Sequence, residues 1–481
     1  MKKLYSVDDI DNLSIENIYD LYKKYVNFSQ VELINSFGFG QDLVDKAEGM
    51  YIYTKDGKKI LDFTGGIGVL NHGHNHPRIL KVRNEYSKKK KMEVHKNYFS
   101  PHIAALSSNL SNLLPEKLNY SYFQNSGAEA VEGALKLAYK YHKGEREFVL
   151  SSNISFHGKT IAASNITNSI ETSYFKFQET LKNDFFVYNS IESVNNKITE
   201  HSKNGNINIY AIIVEPFSAS SLNSCSEEFL QELRELCDKH RIVLIFDEIY
   251  CGWFKTGKLF NFLQYSNLIP DILTTSKSLG GGKSSISAYI CTNEIFNKSY
   301  GNLKDATLHS TTFNGFGEEA VTAIESINIM IEDNYEYKSQ KNGKLISQKL
   351  KSIRLKYPDI ILETKGSGCL HGIFFNSKNL KQITTLFTKI LPITFLKDDQ
   401  AIFKLICASV IYHLYKKYNI LTFYGSNFGI PLKISPSIIA SEDQINYFFE
   451  CLDKTLKIGF NKLLMDFIKN KIFNEIKNKL I

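Results

Sequence analysis

The middle of the chain alternates short apolar runs with amphipathic stretches. The runs Tyr210–Val214, Ile242–Phe246 and Ile286–Cys291 are apolar almost throughout, which predicts strands covered on both faces. The neighbouring stretches Ala128–Tyr141 and Glu227–His240 predict helices, the first because its apolar residues recur at helical spacing. Since helices separate these strands, we expect an α/β fold built on a mostly parallel sheet with helices on both faces.

The hydrophobic pattern changes towards both ends of the chain. Residues 1–75 predict short helices followed by a hairpin, with strands near Gly49–Tyr53 and Lys59–Phe63. After the middle region, a helix and several mixed segments predict a separate α+β unit. We therefore expect a large domain at 76–335 and a small domain that combines residues 336–481 with the N-terminal segment.

Composition indicates a globular protein and weakens one obvious interpretation of the charge. Hydrophobic residues make up 43% of the 481 residues and charged residues 22%, which argues against a disordered or fibrous chain. The net charge is +8, but only six of the 58 basic residues are arginine. Arginine is the usual bidentate partner of bases and phosphates. We therefore predict no nucleic-acid partner.

The cysteines and the apolar runs bear on compartment and membrane. Seven cysteines are widely spaced without a CxxC motif, which predicts a reduced, cytoplasmic environment and no metal site. The N-terminus lacks the apolar stretch of a signal peptide, and no run of about 18 apolar residues predicts a transmembrane helix. The tail Ile458–Ile481 has apolar residues at helical spacing, which predicts a terminal helix packed on the small domain; a helix on a membrane surface is the alternative.

Three segments carry candidate chemistry, and the first is Asn125–Val131. There a predicted strand ends, Ser-Gly-Ala follows, and a long helix begins at once. The free N–H groups and positive dipole of a helix N-terminus suit a phosphate. The alternative is an ordinary helix cap by Ser126, completed as a capping box by Glu129.

The other two segments each follow a predicted strand. Asp247 and Glu248 stand at the end of one, where parallel strands form a ligand crevice; capping of the next element is the alternative. Lys277 follows another and precedes the turn Gly280–Gly282. A lysine in a closed pocket has a lowered pKa, so Lys277 is a candidate for a Schiff base.

These three segments follow one another along the chain: a helix start suited to phosphate, an aspartate at a strand end and a lysine at a strand end. This order resembles that of pyridoxal-phosphate enzymes of the aspartate-aminotransferase fold, fold type I. The closer resemblance is to the class III aminotransferases of the ornithine, acetylornithine and putrescine type. It extends from Leu61–Val69 to Lys433–Pro436, nearly the whole chain. Within the family, Asn71–Pro77, Phe156–Lys159 and Leu308–Phe313 look most like the putrescine-type branch.

The resemblance implies a role for each matching residue. Lys277 would hold pyridoxal 5'-phosphate as an aldimine and then act as the general base, while Asp247 would pair with the pyridine nitrogen. Thr312 would reach the cofactor phosphate of a neighbouring subunit, which implies a homodimer with shared active sites. The cofactor-binding residues implied by the resemblance are Ser126, Gly127, Ala128, Phe156, His157, Glu215, Asp247, Ile249, Tyr250, Lys277 and Thr312.

The departures from the family pattern concern the substrate more than the cofactor. Tyr250 stands where the family has glutamine, and Ser218 and Ser220 replace a glutamine and a glutamate. Lys159 and Lys433 stand where amino-acid-specific relatives carry arginine, which clamps a carboxylate bidentately as lysine does not. We assign Lys159, Lys433 and Ile67 to the substrate. Two explanations of these departures remain: a pocket changed to bind a different substrate, and sequence drift in a lysine-rich chain.

The function predicted from these residues is transamination. An amine, ω-amino or amino acid donor passes its amino group to a 2-oxo acid through the Lys277 aldimine. One alternative is a decarboxylase or isomerase on the same fold, since the bond that breaks depends on an angle that sequence does not fix. The other alternative is a degenerate homologue without catalysis, motivated by Tyr250, Ser218 and Ser220.

Overall fold

The computed structural model describes residues 4–37, 39–168, 180–376, 400–425 and 429–469. Helices contribute more residues to the described chain than strands do. The α-helices are Val7–Ile10, Ile15–Leu21, Phe28–Ser36, Gly65–Gly68, Pro77–Lys88, Pro101–Leu113, Gly127–Tyr141, Ile161–Asn165, Ile191–Glu200, Glu227–His240, Asn293–Tyr300, Gly317–Glu332, Tyr335–Lys356, Ala401–Tyr418, Glu442–Lys457 and 460–469.

The strands form one large sheet and smaller ones. Numbered in chain order they are β1 (Val44–Glu48), β2 (Tyr51–Thr54), β3 (Lys59–Asp62), β4 (Leu118–Gln124), β5 (Phe148–Ser152), β6 (Asn183–Phe186), β7 (Ser202–Lys203), β8 (Asn206–Ile207), β9 (Ile209–Val214), β10 (Val243–Asp247), β11 (Ile272–Thr275), β12 (Ser287–Thr292), β13 (Ile361–Ser367), β14 (Leu370–Phe375), β15 (Ile420–Leu421), β16 (Phe423–Tyr424) and β17 (Leu432–Ile434).

The large sheet has seven strands in the order β4-β12-β11-β10-β9-β5-β6. Strand β12 runs antiparallel to both of its neighbours, and the other pairs are parallel. Every residue of β9, β10 and β11 is buried, as a sheet covered on both faces requires. The predicted α/β class with a mostly parallel sheet is confirmed.

The local sequence explains the helix that leads to the site. Helix Gly127–Tyr141 buries Val131, Ala134 and Leu135 against the sheet, and its Ser126 cap completes the capping box with Glu129. The ends predicted from the sequence for helices Gly127–Tyr141 and Glu227–His240 agree with the structure to within one residue.

A second hydrophobic core joins the two ends of the chain. Strand β15 pairs in parallel with β3, and the rings of Phe63 and Phe448 stack with centroids 4.2 Å apart. The predicted hairpin is present as β2 and β3, whereas β1 extends it in a way the sequence did not indicate. Helix 460–469 buries Leu463 and Phe467 in the same core, while the rest of the predicted tail lies outside the described residues.

The sheet brings the candidate residues to one edge. Asp247 is the last residue of β10, Lys277 lies two residues after β11, and Gly127 opens the helix that follows β4. Carboxyl ends of parallel strands meet on the same side of a sheet, so these three residues converge there. Within the part of the chain that the structure describes, no helix is long and apolar enough to cross a membrane.

Candidate active site

A cavity of about 360 Å³ opens at this edge of the sheet. Twelve of the fourteen residues that the sequence analysis assigned to cofactor or substrate line it. They are Ile67, Gly127, Ala128, Phe156, His157, Lys159, Glu215, Asp247, Ile249, Tyr250, Lys277 and Lys433.

Lys277 lies on a tight turn directly after β11. Its φ is +50°, in the left-handed region, and its side chain opens onto the cavity. A Cβ atom on Gly68 would lie 3.2 Å from Lys277 Cδ, so glycine leaves room for the lysine. Burial lowers the pKa of Lys277, although Asp247 and Glu215 act in the opposite direction. The amine therefore loses its proton more readily than an exposed lysine.

Asp247 is buried and held by two donors. Its Oδ1 accepts a hydrogen bond from the Ile249 N–H at 3.0 Å, and its Oδ2 lies 2.7 Å from His157 Nδ1. His157 is buried as well, and its Nε2 has no hydrogen-bond partner among the described residues. These contacts fix the orientation of the carboxylate at the end of the strand.

Glu215 is a second buried carboxyl group in the cavity. It accepts hydrogen bonds from the N–H groups of Phe156 at 3.2 Å and Ala219 at 3.4 Å. Burial raises the pKa of Glu215 to about 7, against the effect of neighbouring His157. Near neutral pH this side chain therefore exchanges a proton easily.

The start of helix Gly127–Tyr141 presents backbone donors to the cavity. The N–H groups of Glu129 and Ala130 are used by Ser126, which leaves those of Gly127 and Ala128 without an intrahelical acceptor. Ser126 itself is exposed and does not line the cavity. The cap by Ser126 that was the alternative is present, and phosphate binding by the N–H groups of Gly127 and Ala128 stays a prediction.

Lys433 reaches the cavity from β17. It is 6% exposed, and its Nζ donates a hydrogen bond to the backbone oxygen of Ala219. The ammonium also lies over the rings of Tyr250 and Phe423, at 5.7 and 5.8 Å from their centroids. Burial lowers the pKa of Lys433 to about 8.

Some predicted residues take other positions. Thr312 does not line the cavity; it is exposed in a segment that precedes helix Gly317–Glu332. Glu248 faces away from the crevice and accepts hydrogen bonds from the N–H groups of Asn261 and Phe262, so the capping alternative holds for it. Ser218 is buried against the Ile154 carbonyl, which removes it from the pocket, whereas Ser220 lines the cavity.

One wall of the cavity is not predicted from the sequence. Phe423, Tyr424 and Gly425 line it from strand β16 and the residue that follows. This strand is two residues long, and its pairing with β17 brings it to the site from far along the chain. No local pattern in the sequence marks such a contact.

The geometry agrees with a comparison to known families. The aminotransferase class III family matches residues 40–455. The chain belongs to this family. The aminotransferase therefore has fold type I, depends on pyridoxal phosphate and transfers amino groups between an amine or amino acid and an oxo acid, as its sequence predicted.

Solved structures similar to the aminotransferase share its fold at low sequence identity. A transaminase from the marine bacterium Virgibacillus has a TM-score of 0.77 at 19% identity and covers 93% of this chain and 99% of its own. The ornithine aminotransferase of Toxoplasma gondii ME49 has 0.77 at 19%, covering 96% and 100%. The acetylornithine aminotransferase of Elizabethkingia anophelis has 0.70 at 24%, covering 92% and 98%.

The residues of the aminotransferase fit the cofactor chemically. The two free N–H groups at Gly127 and Ala128 suit a phosphate, and the carboxylate of Asp247 suits a cationic ring nitrogen. Within the described chain, the Lys277 amine makes no hydrogen bond, so it is available to react with the aldehyde of the cofactor. The open Nε2 of His157 adds an unused buried polar atom in the same cavity.

Proposed function

We propose that Lys277 is the catalytic amine of this aminotransferase and that Asp247 is its electrostatic partner. The observation that carries the proposal is that both side chains line one cavity, each at the carboxyl end of a neighbouring strand. Pyridoxal phosphate, when bound, supplies an aldehyde and an electron-withdrawing ring. Every other task falls to side chains and backbone groups of the chain itself.

The tasks follow from charge and burial. Lys277, with its lowered pKa, would take a proton from the donor carbon and hold it at Nζ for return. Asp247, oriented by Ile249 and His157, would pair with the ring nitrogen. Gly127 and Ala128 would hold the phosphate with backbone N–H groups, and Phe156 and Ile249 would supply apolar contacts to the ring.

The donor we propose is a primary amine, an ω-amino acid or an amino acid. The described residues that line the cavity include no arginine, so none of them can bind a carboxylate through the two parallel hydrogen bonds of a guanidinium group. Lys433 and Lys159 offer point charges instead, and Ile67 offers an apolar contact. A donor that needs two clamped carboxylates fits this cavity poorly.

We also propose a homodimer in which Thr312 serves the partner subunit. Thr312 is exposed, and large apolar side chains are exposed near it in the sequence and in the segment before helix Pro101–Leu113. Leu303 is 95% exposed and Phe99 fully exposed. Contiguous exposed apolar surface marks protein–protein contacts, and a dimer interface at this face would cover these side chains. The seven free, buried cysteines support a cytoplasmic location.

The domain boundaries at 75/76 and 335/336 are part of this proposal. Hydrophobic cores support them: one packs on each face of the seven-stranded sheet, and another joins β2 and β3 with helices Ala401–Tyr418 and Glu442–Lys457. An N-terminal segment that shares a core with the C-terminal helices is expected to move with them.

Replacement of Lys277 tests the catalytic assignment. Lys277→Ala is expected to abolish the absorbance of lysine-bound pyridoxal phosphate and to stop turnover, because no other group on β11 can replace the amine. The matched control is Lys283→Ala, an exposed lysine in the same loop, which is expected to keep both. Undiminished turnover in Lys277→Ala would refute the assignment.

A further inference from the structure

His72 is a buried histidine, and both nitrogens of its ring have a hydrogen-bond partner. Nδ1 lies 2.9 Å from the Tyr335 hydroxyl, and Nε2 lies 2.8 Å from Ser326 Oγ. Burial lowers the pKa of His72 to about 3, so the ring is neutral near pH 7 and carries one N–H. His72 is not among the residues that line the cavity, so direct contact with cofactor or substrate does not explain it.

The hydroxyl of Ser326 determines which ring nitrogen carries that hydrogen. Ser326 Oγ donates its one hydrogen to the backbone oxygen of Ser278, at 3.0 Å. The contact between Ser326 and Nε2 therefore needs a donor on the histidine, so the hydrogen is on Nε2 and Nδ1 accepts from Tyr335. Hydrogen bonds thus run in one direction, from the Tyr335 hydroxyl through His72 to Ser326 and on to the Ser278 carbonyl.

Ser278 directly follows Lys277, and its carbonyl and hydroxyl are both held. The carbonyl also accepts from the Gly281 N–H at 3.0 Å, and the hydroxyl donates to the Gly68 carbonyl at 2.7 Å. The turn needs such support because Lys277 has a φ of +50°, in the left-handed region that disfavours a residue with a Cβ atom. The direction of the Lys277 side chain depends on this turn keeping its conformation.

Ser326 donates outside its own helix, and His72 accounts for that choice. A buried hydroxyl within a helix can return its hydrogen to a carbonyl of the preceding turn, as Thr322 does in helix Gly317–Glu332. Ser326 lies in the same helix but donates to Ser278 instead. Because the N–H of His72 occupies one side of the Ser326 oxygen, the hydroxyl hydrogen is kept pointing at the turn.

We propose that His72 is a positioning residue: through Ser326 it holds the turn that directs the Lys277 amine into the cavity. This inference rests on the proposed function, which makes Lys277 the reacting amine. An amine held in place condenses with an aldehyde more favourably than one that must first be ordered.

Two forms of the cofactor separate the position of Lys277 from the general integrity of the site. Pyridoxal phosphate carries an aldehyde, whose carbon forms a C=N bond with the Lys277 nitrogen while its oxygen leaves as water with two hydrogens of the amine. Pyridoxamine phosphate has the same ring and phosphate but an amine in place of the aldehyde, so it cannot form that bond. Titration of the apoprotein with each form gives the ratio of the two dissociation constants, which does not depend on turnover.

The expected results follow the hydrogen bonds. Ser326→Ala and His72→Leu should lose preference for pyridoxal phosphate over pyridoxamine phosphate by about three- to tenfold, the factor that one hydrogen bond is worth. Their affinity for pyridoxamine phosphate should stay that of the wild type. His72→Gln keeps an N–H donor near the place of Nε2 and is expected to keep the wild-type ratio.

Ser299→Ala is the matched control. Ser299 is also a fully buried serine within a helix, and it donates to the backbone carbonyl of Leu137. Because Leu137 is not part of the turn that carries Lys277, we expect this variant to lose stability and to keep the wild-type ratio.

A folded Ser326→Ala protein with the wild-type ratio would overturn the inference, and so would an equal loss of affinity for both cofactor forms. If that variant does not fold, Ser326→Cys, whose thiol is only a weak donor, should show the same loss of preference, and an unchanged ratio contradicts the proposal. Failure of the proposed function looks different, because Lys277→Ala would then keep the wild-type ratio.

Discussion

Burial sets the acid–base character of single residues in the cavity. It raises the pKa of Glu215 to about 7 and lowers that of Lys433 to about 8, which brings both close to neutral pH. An exposed side chain of either type would be fully charged there. The fold thus keeps groups that exchange protons readily around Lys277, at a cost in stability.

That cost is measurable at Lys433. Its ordinary pKa is 10.5, so below pH 8 both the folded and unfolded chains are protonated and the full penalty for burying the charge opposes folding. The penalty, at most about 3 kcal/mol, declines as pH rises from 8 to 10.5, because the folded chain then releases its proton first. The contribution of Lys433 to wild-type stability therefore rises with pH in this window.

Lys433→Met removes the charge and keeps the length of the side chain. We expect it to raise the free energy of unfolding of the apoprotein at pH 7 by up to about 3 kcal/mol. The gain over the wild type should shrink between pH 8 and 10.5 in urea unfolding. A gain that stays constant over this range would show that the charge is not its source.

At the scale of elements, the sequence predicts helices and strands well. It predicts poorly those walls of the cavity that form when segments distant in the sequence pair. Apolar runs and capping signals locate β10 and helix Gly127–Tyr141, because these signals are local. The same local signals give Asp247 and Lys277 at the ends of buried strands. Strand β16, which supplies Phe423 and Tyr424, depends on a pairing between distant segments, so no local signal reveals it.

The stability of the helix that begins at Gly127 is coupled to cofactor binding, because the first N–H groups of this helix are proposed to bind the phosphate. Ser126→Ala removes its cap and is expected to lower the free energy of unfolding by about 1 kcal/mol. It should also weaken pyridoxal phosphate binding several-fold, because the N–H groups of Gly127 and Ala128 lose their fixed direction. Equilibrium titration of the apoprotein with the cofactor measures this effect.

Ser441→Ala is the matched control for that variant. Ser441 caps helix Glu442–Lys457 with the same capping box, in the other hydrophobic core. We expect a similar loss of stability and unchanged cofactor affinity. Equal weakening of the affinity in both variants would mean that general destabilisation, and not the helix start, controls binding.

At the scale of the whole molecule, one hydrophobic core joins the two ends of the chain, and separate cores cover the two faces of the large sheet. Sequence resemblance predicts the family and the cofactor, since the motifs that hold the cofactor are retained. It predicts the substrate poorly, because Lys159, Lys433 and Tyr250 depart from the family pattern together. The proposed dimer belongs to this scale as well, through exposed Thr312.

Hybrid dimers test the shared site. Lys277→Ala and Thr312→Asp are each expected to be inactive, the second because a carboxylate repels the phosphate of the partner's cofactor. After unfolding and refolding the two variants together, each mixed dimer contains one intact site. Recovery of roughly a quarter of the wild-type activity is expected from random pairing. No recovery, with mixed dimers present by mass spectrometry, contradicts the shared site.

A transaminase retains the amino group of its donor between two half-reactions, and we expect this protein to do so. The most direct measurement incubates the cofactor-loaded enzyme with a ¹⁵N-labelled amine, without any oxo acid, and removes free donor by gel filtration. We expect about one equivalent of ¹⁵N retained per subunit, released as an amino acid when a 2-oxo acid is added. Release of carbon dioxide from an amino acid donor without retained ¹⁵N, or no retention with any donor, would contradict the account.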